Sequence, residues 1–297
     1  MMKIKIHYTL IYLCILFPLI LQNAQAENQY QHEITSSITD HSTDSGASTK
    51  LFVVAIQSFL KPIIGGDYPM AESAFVERQP YLAAAYARIN REIFDEEING
   101  NLYLLGGGYA NNNFPIFVDI VYSKSKETAE INGDDLEQEF TTKEFNLGVY
   151  FTDFSAIKFT YGIQDAEASN GSRSSSGKRE NFSASVKSLF KITNSNYLNL
   201  ELEGNYNIDS DEDYVEDYKS KSYAAKADYY PSKSLGIGLG GEIFKSDNDI
   251  SGAKSVKFRV RNFITPLVSV MLEFENVMLD DSDSDIQVFT FGFFVRL

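Results

Sequence analysis

Apolar and polar residues alternate along most of this chain, and the alternation is clearest in its last eleven residues, QVFTFGFFVRL. Successive side chains of an extended strand point to opposite faces, so this segment has one apolar face. Nearly all of the chain repeats the pattern. It therefore predicts strands that each need an apolar medium on one side and water on the other. The apolar positions of the last strand are Phe289, Phe291, Phe293, Val295 and Leu297.

This alternation predicts an all-β protein, an up-and-down antiparallel transmembrane β-barrel of about fourteen strands. Twelve strands are the alternative if residues 27–78 form a plug or an arm rather than a first hairpin and a long periplasmic turn. Both counts are even, as in single-chain bacterial barrels. The predicted strands lie near residues 29–39, 48–60, 79–91, 100–110, 114–124, 143–152, 155–164, 181–190, 196–207, 220–230, 234–244, 254–262, 266–276 and 287–297.

Short and long connections alternate between these strands, as in outer-membrane barrels with short periplasmic turns and longer external loops. Residues 61–78 are the one long connection predicted on the periplasmic side. A soluble secreted β-protein is the alternative, but it would need a second layer over every apolar face. The predicted short turns are 152–154, 191–195, 231–233 and 264–265, and the long polar segments are 125–142, 165–180, 208–219, 246–253 and 277–285.

The N-terminus has the features of a secretory signal peptide: a basic start, an apolar run from Leu10 to Leu21, and Ala24-Gln25-Ala26. The run is shorter than the roughly 20 residues of a spanning helix, and we expect cleavage after Ala26. The segment holds two lysines and no acids, so residues 27–297 carry 24 basic and 41 acidic residues, a formal charge of −17. This balance argues against nucleic acid as a partner. The only cysteine, Cys14, lies in the signal, so the mature barrel has no thiol for disulfides or metal thiolates.

Two short stretches carry a resemblance to a known family. Lys61-Pro62 followed by Tyr68 to Phe75 (YPMAESAF), and Tyr229-Tyr230-Pro231 followed by Ser234 to Gly238, are similar to hairpins of putative outer-membrane porins of Gram-negative bacteria. Members of that family typically end in an aromatic residue, whereas this chain ends in Leu297. The resemblance implies a diffusion pore in the Gram-negative outer membrane and supplies no site residues.

Charged residues on the polar faces are candidates for lining the pore. Lys257, Arg259 and Arg261 share one face of a strand, and a turn near Thr265 would place Lys257 opposite Glu273. Rings of charge select ions in pores, although the same ladder could merely keep the face hydrated. The charge of −17 suggests that the pore weakly prefers cations. The basic ladder of Lys257, Arg259 and Arg261 argues against that preference. The full candidate set is Lys257, Arg259, Arg261, Glu273, Glu275, Glu201, Glu203, Lys158, Lys187, Lys226 and Asp228.

Other motifs indicate less. Asp209–Asp213 and Asp280–Asp285 space carboxylates as calcium loops do, but both lack the glycine and glutamate of an EF-hand, so we expect solvated loop tips and no metal site. The glycines at 106–108 and 236–241 match no phosphate loop and predict barrel curvature. Outside the signal, the only histidines are His32 and His41, with no arrangement for nucleophilic catalysis.

The sequence therefore predicts a non-enzymatic, porin-like channel for passive diffusion of small hydrophilic solutes or ions, without a cofactor. A barrel of fourteen strands is wider than side chains readily fill. The alternative is a non-conducting surface or structural barrel whose acidic external loops bind a partner or lipopolysaccharide, and a substrate-specific channel is a third variant. Expected partners are outer-membrane lipid, lipopolysaccharide, small solutes and another copy of the chain.

Overall fold

The computed structural model of the protein describes most of the chain after its N-terminal segment. No helix in this part of the chain is long and apolar enough to cross a membrane. The described residues are 29–43, 46–93, 96–111, 113–131, 134–170, 173–211, 218–246, 252–280 and 285–297. The expected signal peptide lies outside these ranges.

Fourteen strands account for most of the described residues, each at a position predicted from the alternation. Aromatic and β-branched residues on one face of each strand favour this extended pairing. The strands are β1 (Gln29–Thr43), β2 (Ser48–Ile64), β3 (Tyr81–Ile93), β4 (Glu96–Asn111), β5 (Phe114–Ile131), β6 (Asp134–Thr152), β7 (Ser155–Asn170), β8 (Arg173–Lys191), β9 (Tyr197–Asp211), β10 (Tyr218–Tyr230), β11 (Leu235–Ser246), β12 (Ala253–Thr265), β13 (Val268–Leu279) and β14 (Asp285–Arg296).

The strands form one closed antiparallel barrel in which every strand pairs with its neighbours in sequence. The first and last strands complete the closure, with Glu33 opposite Arg296 and Thr43 opposite Ile286. The predicted fold class is therefore confirmed, with fourteen strands rather than twelve. Closure leaves no strand edge unpaired, as a sheet in hydrocarbon requires.

The expected long polar loops at 125–142 and 165–180 are wrong. β5 continues to Ile131 and β6 begins at Asp134, while β7 continues to Asn170 and β8 begins at Arg173. These polar stretches keep cross-strand hydrogen bonding after their apolar alternation has ended, so hydropathy alone placed the strand ends too early. β6 and β8, with 19 residues each, exceed the roughly 9–11 residues that cross a bilayer. The long hairpins therefore project beyond one end of the apolar band.

The β2–β3 connection, residues 65–80, contains the only helical structure in the described ranges. A 3-10 turn, Met70–Glu72, leads into a short helix, α1 (Ser73–Glu77). Arg78 ends the helix in a left-handed conformation with a φ of 51°. The two buried apolar clusters of the described residues both adjoin this connection, one around Ile63 and one around Tyr197.

Candidate functional site

The outward face of the barrel is apolar. Leu202, Leu239 and Phe159 expose 61%, 60% and 56% of their surface in the isolated chain. Similar residues occupy outward positions on every strand, and together they form a surface far larger than the apolar patches of soluble monomers. This surface requires hydrocarbon around it.

An aromatic rung marks one boundary of this apolar band. Beyond it, the outward positions become charged and form exposed ion pairs, such as Lys124 with Glu139 at 2.6 Å and Lys143 with Asp165 at 3.7 Å. Aromatic girdles and then charge are typical of the membrane interface in outer-membrane barrels. The rung consists of the directly paired residues Phe145, Tyr161, Phe182 and Tyr206.

All the charged residues that the sequence singled out lie on the opposite, inward side of their strands. Strand alternation requires this, because each one neighbours an outward apolar residue. Among these candidates, Lys158 and Glu203 form no ion pair with any other described residue. Most of the other candidates form ion pairs in a charged wall over β8–β13. Its contacts are Lys226–Glu201 (3.3 Å), Lys226–Asp228 (3.4 Å), Arg259–Asp228 (2.6 Å), Lys257–Glu273 (3.5 Å), Lys257–Glu275 (3.1 Å) and Lys187–Glu72 (2.7 Å).

The expected register of the β12–β13 hairpin is wrong by two residues. Lys257 lies opposite Glu275, and Arg259 lies opposite Glu273. The turn occupies residues 266–267 instead of the predicted 264–265, and a bulge follows Phe263. Lys257 nevertheless reaches both glutamates because its long side chain lies between the two rungs.

Two glycines of β11 leave room for neighbouring side chains. A Cβ on Gly238 would collide with the carboxylate of Asp228, and a Cβ on Gly236 would lie 2.7 Å from the ring of Tyr230. Because these two positions carry no side chain, side chains of β10 can lie flat against the inner wall of the barrel. At Gly238, the space allows Arg259 of β12 to reach past β11 and donate a hydrogen bond to Asp228 at 2.6 Å.

Arg261 occupies a different environment from the other charges of the ladder. Its guanidinium lies 4.0 Å from the ring centre of Phe294 and 4.9 Å from that of Phe263. Arg296 follows in the same stack, 4.7 Å from Phe263 and 4.3 Å from Tyr30. Cations held over ring faces in this way stabilise a desolvated site. The stack also explains why Phe294 interrupts the alternation of the last strand, since its ring points inward.

The β2–β3 connection folds inward at this end of the barrel, and Glu72 anchors it. Glu72 is only 5% exposed. Its carboxylate lies 2.7 Å from Lys187 Nζ and accepts a 2.6 Å hydrogen bond from the Tyr230 hydroxyl. Burial tends to raise the pKa of Glu72, but Lys187 and the Tyr230 hydrogen bond outweigh burial and hold the pKa below its usual value.

Further contacts of this connection are spread around the barrel wall. Arg78 donates a 2.8 Å hydrogen bond to the carbonyl of Thr152 and stacks on Tyr150, 4.1 Å from the ring centre. Across the barrel, Arg296 donates to the carbonyl of Met70 at 2.9 Å. Contacts to β6, β8, β10 and β14 mean that the segment lies across this end of the barrel instead of following its rim.

Neither Glu72 nor Arg78 was predicted from the sequence to be a functional residue. A signal was present, because Glu72 is the one charged residue between Pro69 and Val76. An isolated acid in an otherwise uncharged run is a candidate for a buried ion pair.

The described residues show no catalytic or metal centre. His32 Nδ1 lies 2.9 Å from Ser58 Oγ, but no carboxylate or amide orients the histidine as a third group within the described ranges. No group of His, Cys, Asp or Glu among the described residues could hold a metal ion. Of the two acidic segments, residues 212–213 and 281–284 lie outside the described ranges.

Comparison with known proteins agrees with this architecture. The structure is similar to the Acinetobacter baumannii outer membrane protein Omp33, with a TM-score of 0.60 and 16% identity over 92% of this chain and 100% of that chain. It is also similar to the CymD monoaromatic hydrocarbon channel, with a TM-score of 0.57 and 8% identity over 92% of this chain and 90% of that one. At these identities the likeness shows the fold. None of the curated proteins matches the chain.

A family model described as putative general bacterial porin matches residues 5–294, nearly the whole chain. Family and fold together give the protein a channel role in the Gram-negative outer membrane, where its outward face contacts lipid. This agrees with the apolar band, the aromatic rung and the charged inner wall. The resemblance noted in the sequence is thereby confirmed, and the chain belongs to the family of putative general bacterial porins.

Proposed function

We propose that the protein is a channel for passive diffusion of small hydrophilic solutes across the outer membrane. The observation that supports this most strongly is the division of each strand into an apolar outward face and a polar or charged inward face. In a closed barrel that division separates hydrocarbon from enclosed water. Fourteen strands exceed the roughly eight whose interior side chains can fill, so there is room for a water column.

Passage through this column is limited, in this proposal, by the β2–β3 connection. Residues 65–80 lie across the end that carries the short turns, which is the periplasmic end in outer-membrane barrels. Solutes would therefore pass when the connection moves aside. Its anchors, the Glu72–Lys187 pair and the Arg78 contacts, would set how often that happens.

The same connection supports a second candidate function, a barrel that does not conduct. In that case the projecting hairpins of β5–β8 would carry the activity, because their exposed ion pairs offer charge to lipopolysaccharide or to a protein partner. Assembly with further copies of the chain would be compatible with either function, since an apolar outer face suits a neighbouring barrel as well as lipid.

Conductance across a planar bilayer distinguishes the two functions. Purified, refolded protein should produce stepwise current increases. Arg259→Ala should change the conductance or the ion preference, because Arg259 is 25% exposed towards the lumen. Arg261→Ala is the matched control. Arg261 is enclosed by the rings of Phe263 and Phe294, so its substitution should mainly lower stability. Protein that folds and inserts but never conducts would contradict the channel and favour the surface barrel.

We also propose export through a signal peptide cleaved after Ala26, which would leave Glu27 as the first residue of the mature chain. N-terminal sequencing of the protein from an outer-membrane fraction should give Glu-Asn-Gln-Tyr. A mature chain that still begins with Met1 would contradict the cleavage.

A further inference from the structure

A recess of about 240 Å³ opens into the inner wall between β10 and β12. β11 forms its floor, and there Gly238 and Gly240 contribute no side chains. A Cβ on Gly240 would lie 3.8 Å from the Cβ atoms of both Lys226 and Lys257. The two lysines therefore flank an empty position, and Arg259 lies one rung away on the same wall.

Cations are the more accessible charges at the centre of this recess. The side chains of Lys226, Lys257 and Arg259 are 34%, 38% and 25% exposed. Three of the four acids that pair with them are more enclosed: Asp228 is 3% exposed, and Glu273 and Glu275 are 19% and 18% exposed, whereas Glu201, the second partner of Lys226, is 32% exposed. A solute that enters the recess consequently meets N–H donors before it meets the carboxylates of Asp228, Glu273 and Glu275. This order is local and differs from the overall charge of the chain.

The donors are also held in place. Arg259 uses Nη2 for its hydrogen bond to Asp228, and no other described residue bonds to Nε or Nη1. Each lysine is positioned by its acidic neighbours and keeps rotatable N–H donors. Charge-assisted bonds from such groups favour an oxyanion, above all a planar carboxylate or a phosphate.

We infer that this recess, the space between Lys226, Lys257 and Arg259 over Gly240, is a binding subsite for the oxyanion group of a small solute, a carboxylate or a phosphate. The inference rests on the proposed channel function and adds a solute class to it. Binding must be weak enough for the solute to leave again, which corresponds to about millimolar affinity. Glu242 also lines the recess, two residues along β11 from Gly240, so solutes with a single compact negative group fit better than extended polyanions.

Saturation-transfer NMR on the full chain in detergent micelles tests binding without requiring conduction. The probes are acetate and methyl phosphate at constant ionic strength, because each has one anionic group and methyl protons that NMR observes, with methylammonium as the cationic comparison. We expect saturable transfer to acetate, methyl phosphate or both, and a weaker signal for methylammonium. Acetate alone would assign the subsite to carboxylates, and methyl phosphate alone would assign it to phosphates. Transfer to neither anion, or preferential transfer to methylammonium, would overturn the inference.

Lys226→Gln and Lys257→Gln should each weaken binding about fivefold, because one charge-assisted contact in a hydrated lumen is lost. Lys158→Gln is the control, since it removes a lysine from the inner wall outside the recess. Equal weakening in all three variants would overturn the assignment to the recess. Folding of each variant is checked by its heat-dependent mobility on gels.

Bilayer recordings separate failure of this inference from failure of the proposed function. Channels that conduct without binding either anion leave the diffusion pore standing and reject the subsite. Anion binding by a protein that never conducts rejects the pore and, with it, a role of the subsite in passage. Concentration-dependent reduction of current by acetate or methyl phosphate, weaker in Lys257→Gln, supports both.

Discussion

The buried anchor of the β2–β3 connection gives the sharpest prediction. Glu72→Gln keeps the size of the side chain and its contact with Tyr230 but removes the charge that Lys187 faces at 2.7 Å. Breaking a buried pair by removing one partner costs about 3–5 kcal/mol. Lys187 is 26% exposed and has Glu201 opposite it on β9, so it keeps some solvation and a second acidic neighbour. We therefore expect a cost below that range, about 2–3 kcal/mol. If this weakens docking of the connection, its undocked population relative to the docked one rises about 30- to 140-fold.

Single-channel recording measures this change directly. The variant should open more often and stay open longer than the unmodified protein at the same voltage and salt. Asp67→Asn is a matched control on the same connection, since Asp67 pairs with Lys233 at 2.9 Å but its side chain is 92% exposed. Exposed pairs of this kind contribute little to stability, so its gating should be unchanged. Identical open probabilities in Glu72→Gln and the unmodified protein would refute the view that this anchor controls opening.

The charge of Glu72, the outward face of β9 and a glycine of β11 give three further predictions. The pKa of Glu72 is held below its usual value of about 4.3, so docking of the connection should be insensitive to pH between about 5 and 8. Docking should weaken as pH falls below about 4, and the open probability of the channel should then rise. A rise in open probability already at about pH 6 would contradict this prediction. Leu202→Arg should destabilise the inserted barrel by about 2–4 kcal/mol in urea titrations with lipid vesicles, because it places a charge on the lipid-facing side. Glu203→Arg, on the inner face, should destabilise the barrel far less. Equal losses of stability in the two variants would argue against the assigned faces. Gly238→Ala should lower stability by about 1–3 kcal/mol, because the new methyl group displaces Asp228 from Arg259. Gly204→Ala is the control, since its Cβ would meet nothing closer than 3.7 Å, and its stability in the same titration should be nearly unchanged.

The barrel itself was predictable from the sequence because its physical cause is local. A period of two places Phe258 and Phe274 on one face and Lys257 and Glu273 on the other, whatever the rest of the chain does. The strand ends were less predictable. At residues 125–142 the outward positions change from apolar to charged while backbone pairing continues, so hydropathy marks the membrane boundary and not the end of the strand.

The inward connection and the stack around Arg261 could not be predicted, because both depend on contacts between distant segments. Glu72 meets Lys187 and Tyr230 only after the barrel has closed and brought β8 and β10 to the same end. Phe294 reads as an irregularity until β12 places Arg261 against its ring. Likewise, the register of the β12–β13 hairpin depended on a turn at residues 266–267 and on a bulge after Phe263, and the alternation marks neither of them.

If one face of every strand meets hydrocarbon and the other meets enclosed water, nitroxide scanning of β13 should distinguish the two faces. With Cys14, the one cysteine, replaced by Ala, single cysteines at positions 272 to 275 are labelled in protein reconstituted into vesicles. Oxygen, which partitions into lipid, should relax the labels at 272 and 274, and a water-soluble nickel complex should relax those at 273 and 275. Equal nickel accessibility at all four positions, or the reverse pattern, would contradict the account.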